Sequence, residues 1–139
     1  MSLRVLIIED NEEIYHYFMR IFEHKLDTTQ FEFVCASTIQ AALEVLPEQW
    51  DVILMDYAMG EAAKLDEMSF RNGADLVSYR RALESMATQE GADQNCPACR
   101  IVGTSSNTVC NDLINKAGAN SSYLKLDVPE IADYLQACL

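Results

Sequence analysis

Short, unbroken apolar runs alternate along this chain with stretches whose apolar positions recur at helical spacing. Arg4-Val5-Leu6-Ile7-Ile8 is β-branched and shows no polar alternation, which predicts a strand buried on both faces. It stops at Glu9-Asp10. From Asn11 the period changes: Ile14, Phe18, Ile21 and Phe22 share one face, and Glu12 and Glu13 occupy the first turn, where the helix dipole favours acids. Asn11 can cap that helix by offering its side-chain oxygen to free amides. Phe31 to Ala36 reads as a second strand. Ser37-Thr38-Ile39-Gln40 has capping-box spacing, and Ala41, Ala42, Val45 and Leu46 carry a helix as far as Pro47.

Asp51-Val52-Ile53-Leu54-Met55-Asp56 predicts a third strand, again apolar within and acidic at its end. A long irregular stretch follows from Tyr57 to Asn72. A third helix runs from about Ala74 to Met86, with Leu76, Tyr79, Arg80 and Leu83 along one side. Thr88 to Cys99 is polar and reads as a loop. Arg100 to Thr104 is a short fourth strand ending in hydroxyls. Asn107 caps a helix through Ala117, which Gly118 closes. Ser122 to Leu126 reads as a fifth strand, and Asp127-Val128-Pro129-Glu130 opens the last helix. Strands alternating with helices imply an α/β fold, a parallel sheet covered on both faces with right-handed crossovers. Ligands on such a sheet sit beyond the carboxyl ends of its strands, so the chemistry is expected there.

The length of 139 residues suits a single domain spanning 1–139, large enough to bury a core. The formal net charge of −12 argues against gripping a nucleic-acid backbone, a task for Lys and Arg. No stretch approaches the roughly 20 apolar residues of a membrane span. The start of the chain has no apolar signal region, and the cytoplasm is the expected compartment. The five cysteines are then expected to be reduced thiols, with Cys35 a small core residue. Cys96-Pro97-Ala98-Cys99 is a C-x-x-C, yet it lacks a second ligand pair and does not open a helix after a strand. His16 and His24 read as exposed, Trp50 as packing and Tyr123 as half-buried. Asp51 starts its strand and so falls at the opposite edge of the sheet.

The strand ends carry a specific set of groups. The first ends in Glu9 and Asp10, the third in Asp56, the fourth in Thr104-Ser105-Ser106, and the fifth carries Lys125. Carboxylates brought together repel one another and ask for a divalent cation. An all-oxygen site of this kind suits Mg²⁺, which keeps several of its waters. A hydroxyl and an ammonium opposite the metal offer partners for phosphoryl oxygens. Glu9 and Asp10 could instead simply cap the first helix.

Ile7-Ile8-Glu9-Asp10, Leu54-Met55-Asp56, Ile101-Val102-Gly103-Thr104-Ser105-Ser106, and Gly118-Ala119 followed by Lys125 resemble the receiver domain of two-component response regulators, over essentially the whole chain. The resemblance implies a flavodoxin-like (CheY-like) sheet of order 2-1-3-4-5, counting strands along the chain. It implies that Asp56 is the phosphoacceptor for a histidine kinase or histidine phosphotransfer protein, and that a downstream protein effector or fused output domain reads the result. Such a protein is no turnover enzyme beyond its own phosphorylation and autodephosphorylation. Asp10 and Asp56 would bind Mg²⁺ directly, the Tyr57 backbone carbonyl would be a third ligand, and Glu9 would act through water. Ser105 would match the hydroxyl that swings toward the phosphoryl group, with Thr104 in reserve because the register there is open by one residue. Lys125 would pair with a phosphoryl oxygen.

This sequence departs from the family pattern in three places. Leu126 stands where a proline usually follows the lysine across a cis bond, leaving either a trans link or a cis bond before a non-proline, which costs roughly 2.5–4 kcal/mol. Ser122 replaces the aromatic residue expected before the lysine. The loop at about 60–72, with Glu61, Lys64, Asp66, Glu67 and Arg71, is longer than usual and is expected to overhang the site and gate access or partner choice. A degenerate receiver serving as a phosphorylation-independent interaction module is the alternative. A flavin carrier on the same sheet is disfavoured, because Glu9-Asp10-Asn11 would repel a flavin phosphate.

Overall fold

The computed structural model of the protein describes residues 2–89, 91 and 95–139, so part of the polar loop 88–99 lies outside the described residues. In chain order the elements are β1 (Leu3–Ile8), α1 (Glu12–Lys25), β2 (Phe31–Ala36), α2 (Ile39–Val45), β3 (Val52–Met55), β4 (Ala63–Leu65) and β5 (Met68–Phe70). They continue with α3 (Gly73–Ala87), β6 (Arg100–Gly103), α4 (Thr108–Ala117), β7 (Ser121–Ser122) and α5 (Val128–Ala137). The main sheet has the order β2-β1-β3-β6-β7 and is parallel throughout. With β4 and β5 set aside as a separate antiparallel hairpin, this is the expected 2-1-3-4-5 order of a flavodoxin-like sandwich.

The unbroken apolar strands explain both layers. Leu6, Ile8, Ile53, Met55 and Ile101 face one side, against Ile39 of α2, Leu76 of α3 and Ile114 of α4. Val5, Ile7, Val52, Leu54 and Val102 face the other, against Phe18 and Phe22 of α1 and Ile131 and Leu135 of α5. Each such side chain removed from water contributes about 1.5–3 kcal/mol, so the buried residues of the central strands stabilise one layer or the other in alternation. Caps set the helix starts. Asn11 Oδ1 accepts the amides of Glu13 and Ile14 (2.9 and 3.2 Å), and Asn107 Oδ1 those of Val109 and Cys110 (2.8 and 3.3 Å). Thr38, one residue beyond Ser37, caps α2 by accepting Ala41 N–H at 3.0 Å. Among the described residues no helix is long and apolar enough to cross a membrane.

Two elements differ from the sequence expectation. The stretch after β3 is not irregular: it folds into the β4–β5 hairpin, paired Ala63 with Phe70 and Leu65 with Met68. Asp66 turns the chain with a φ of 55°, a left-handed conformation that Asp tolerates better than most residues. Phe70 is buried and meets Tyr79 of α3 edge-on at 5.4 Å, which fastens the hairpin to the α2–α3 layer. The second difference is the fifth strand of the main sheet, shorter than Ser122 to Leu126. β6 stops at Gly103, so only Ser121 and Ser122 find a partner strand, and Tyr123 to Leu126 continue as a loop. No peptide bond among the described residues is cis, so the Lys125–Leu126 link is trans.

Arg80 is wholly buried in α3. Its guanidinium pairs with Glu84 at 2.9 Å and donates to the carbonyls of Leu46 and Glu48 (2.5 Å each) and Pro97 (2.6 Å). Burying a charge this deeply is tolerable only with full hydrogen bonding, and here the bonds tie α3 to the end of α2 and the loop before β6. Trp50 is buried as packing, with the Arg4 guanidinium 4.3 Å over its ring.

Candidate functional site

Strand register brings the chemical groups together. Ile8 pairs with Met55 and Met55 with Gly103, so the next residues, Glu9, Asp56 and Thr104, stand side by side at the carboxyl end of the sheet. The backbone ladder extends one rung further to hold them: Asp56 N–H donates to Ile8 O (3.0 Å) and Thr104 N–H to Met55 O (2.9 Å). Residues in register on parallel strands point to the same face. Thr104, held in reserve by the sequence, is therefore the hydroxyl lateral to Asp56. Ser105 lies one residue beyond, its Oγ accepting Asn107 N–H at 3.2 Å.

Glu9, Asp10 and Asp56 each place a carboxylate oxygen within 4.8 Å of the others, Glu9 and Asp56 buried and Asp10 exposed. Lys125 Nζ lies 3.0 Å from Glu9 Oε1 and 3.1 Å from Asp56 Oδ2. Those two buried oxygens lack a well-directed hydrogen bond, and the Lys125 ammonium is the cation that faces both. Burial pushes the Glu9 carboxyl up to about 7, helped by the Asp56 charge, although Lys125 and the Asn11 amide pull the other way. Burial also raises Asp56, against the opposing pull of Lys125 and the Tyr57 amide. Burial works against the Lys125 ammonium, but Glu9 and Asp56 outweigh it and raise its pKa. Hard oxygen donors, crowded and short of counter-charge, fit a divalent cation.

The backbone around Asp56 is shaped to match. Asp56 Oδ1 accepts Tyr57 N–H at 2.8 Å. Tyr57 O, expected as a metal ligand, accepts Gly73 N–H at 2.8 Å, a bond that uses one of its two lone pairs. Gly60, with a φ of 74°, brings the loop leading to β4 beside Asp10, where an added Cβ would lie 3.6 Å from Oδ2. The near end of the hairpin segment thus flanks the acidic cluster, while the hairpin itself packs on the α2–α3 layer.

Other candidates fall outside the site. Asp51 takes Arg4 N–H at 2.8 Å at the opposite edge of the sheet, and His16 and His24 are exposed. All five cysteines are free thiols, and Cys35 is only partly buried. Cys99 is buried beside Glu84, and burial pushes its thiol up to about 12, the reverse of a reactive or metal-binding cysteine. Ser122 accepts Asn115 Nδ2 at 3.1 Å and lines a hollow of about 140 Å³ between α4 and β7.

No family model matches the sequence, and no curated protein matches it. Solved structures do match. A receiver domain of Methylobacillus flagellatus is similar at 15% identity over 100% of both chains, with a TM-score of 0.70. One from Methanospirillum hungatei is 17% identical over 99% of this chain and 97% of that one, with a TM-score of 0.63. A response regulator from Burkholderia pseudomallei, solved with a phosphorylated aspartic acid, a calcium ion and citrate, is 19% identical over 98% of this chain and 72% of its own, with a TM-score of 0.61. The chain has the CheY-like fold of response-regulator receiver domains.

Proposed function

We propose that the protein is a phosphorylation-dependent receiver, in which Asp56 accepts a phosphoryl group from a histidine kinase or histidine phosphotransfer protein. The reading is carried by one observation, the placement of Lys125 Nζ within ion-pair distance of both Glu9 and Asp56 beside the exposed Asp10. An Asp56 carboxylate oxygen attacks the phosphorus as the bond to the donor nitrogen breaks, and the imidazole leaves with the bond electrons. Lys125 neutralises charge gathering on the phosphoryl oxygens, and Thr104 offers a hydroxyl from the neighbouring strand. Glu9, Asp10 and Asp56 would hold Mg²⁺, which when bound supplies further charge neutralisation. The covalent product adds charge beside the Thr104–Ser106 loop and changes partner binding.

Incubation with Mg²⁺ and acetyl phosphate tests this. An acid-stable, base-labile phosphoryl mass increment is expected on the native protein and not on Asp56→Asn. Failure to take the group from any small donor or histidine phosphotransfer protein would favour the alternative, an interaction module that works without phosphorylation. Ser122 in place of an aromatic residue is the observation that keeps that alternative in view.

A further inference from the structure

Asn111 sits in the first half of α4 and is 4% exposed. Its side chain reaches out of the helix to two separate loops. Oδ1 accepts Ser105 N–H at 2.9 Å, and Nδ2 donates to Ser105 O at 3.2 Å and to Tyr123 O at 3.0 Å. The amide orientation is fixed chemically, because Ser105 N–H requires the oxygen and the two carbonyls require the nitrogen. Ser105 O also accepts Lys125 N–H at 3.2 Å, and Tyr123 N–H donates to Gly103 O at 2.9 Å. The hydroxyl-bearing loop after β6 and the lysine-bearing loop after β7 are thereby joined into one unit with Asn111 at its centre.

A second observation is independent of these bonds. Gly103 ends β6 directly before Thr104, and a Cβ there would stand 2.9 Å from Asn111 Oδ1, 3.2 Å from Ile114 Cγ2 and 3.2 Å from Ser122 Cβ. The glycine leaves room for the asparagine. With β7 only Ser121–Ser122 long, little strand pairing is left to set where Lys125 starts.

Resting on the receiver reading, we propose that Asn111 is a positioning residue for phosphoryl transfer: it sets Thr104 and Lys125 relative to Asp56 by clamping the backbone of Ser105 and Tyr123. Asn111 touches neither Asp56 nor the acidic cluster. It acts on transfer and leaves the cation site of β1 and β3 in place.

The test compares native protein with Asn111→Ala, Asn111→Asp and, as a control one turn along α4, Asn115→Ala, each checked for folding by circular dichroism. Phosphorylation by acetyl phosphate is followed as a function of Mg²⁺. Asn111→Ala is expected to lower the plateau rate at least tenfold while the half-saturating Mg²⁺ concentration stays within twofold, and Asn115→Ala to keep both. Should Asn111→Ala not fold, Asn111→Asp carries the test, since it keeps the acceptor for Ser105 N–H and loses both donors. A plateau rate unchanged in the folded variants, or an equal loss in Asn115→Ala, overturns the proposal. If the native protein itself takes no phosphoryl group, the receiver reading fails separately. The clamp is then read from hydrogen exchange at the Lys125 amide, expected at least tenfold faster in the Asn111 variant than in native protein; unchanged exchange overturns it.

Discussion

The α-carbon of Gly73 packs directly on the carbonyl of Asp56: a methyl group on that carbon would lie 1.9 Å from Asp56 O and 2.9 Å from its carbon. The first residue of α3 and the candidate phosphoacceptor are therefore a single steric unit, and only a hydrogen side chain lets them meet.

Gly73→Ala is expected to destabilise the protein by more than about 3 kcal/mol, because neither backbone can yield without breaking the Gly73 N–H to Tyr57 O bond. Urea unfolding measures this. A loss under about 1 kcal/mol would mean that α3 shifts freely and that the packing is not needed.

The register of β3 and β6 separates the two candidate hydroxyls. Thr104→Ala is expected to slow phosphorylation by acetyl phosphate about tenfold or more, as loss of a directed donor at the reacting group does, while Ser105→Ala stays within about twofold. The reverse ranking would restore Ser105 to the role that the sequence favoured.

In the absence of a divalent cation, Glu9 contributes to the acid side of the stability curve, alongside Asp56, which burial also raises. The Glu9 carboxyl is raised from 4.5 to about 7 by burial in the fold, so its contribution is fully present below pH 4.5 and is lost as pH rises toward 7. In EDTA the melting temperature should therefore lose ground over that window relative to Glu9→Gln. Mg²⁺ should restore it in the native protein and less so in the variant. Parallel melting curves with pH for both proteins in EDTA would contradict the assignment.

Cys99 should resist alkylation in the native state. Its thiol is pushed up to about 12 by burial, so almost no thiolate exists at pH 8, and Cys96, also buried, is raised by the same cause. Mass spectrometry after iodoacetamide should find Cys99 modified only in denaturant. Rapid native-state labelling of both would reopen a redox or metal role for the C-x-x-C.

The sheet was legible because β1, β3 and β6 bury both faces, leaving apolar runs that end abruptly in Glu9-Asp10, Asp56 and Thr104. The hairpin was not, because β4 and β5 are short and lie on the surface, with Lys64 in β4 and Asp66 and Glu67 at the turn, and Phe70 is the one residue of the two strands that is buried. Asp56, Glu9 and Asp10 could be named from strand ends, whereas Lys125 lies in the loop after the shortened last strand. Placing Thr104 rather than Ser105 beside Asp56 needed the pairing register, which a one-residue shift alters without changing composition. Asn111 left no sequence signal beyond a polar residue at the inner face of an amphipathic helix. Arg80 could be placed on the inner side of its helix from the spacing, but not its partners beyond Glu84: the carbonyls of Leu46, Glu48 and Pro97 are backbone groups that no residue pattern announces.

The β4–β5 hairpin also makes the molecule unusually easy to instrument. Its tip, Asp66-Glu67, is exposed, while Met59 before the hairpin and Phe70 at the end of β5 are both buried, so foreign sequence at the tip is braced on either side by the core. The segment leading into it passes Asp10 at Gly60. A dye or epitope grafted between Asp66 and Glu67 would sit at the exposed end of a segment whose near end, at Gly60, lies against the acidic cluster, so that the extra loop could serve as a reporter.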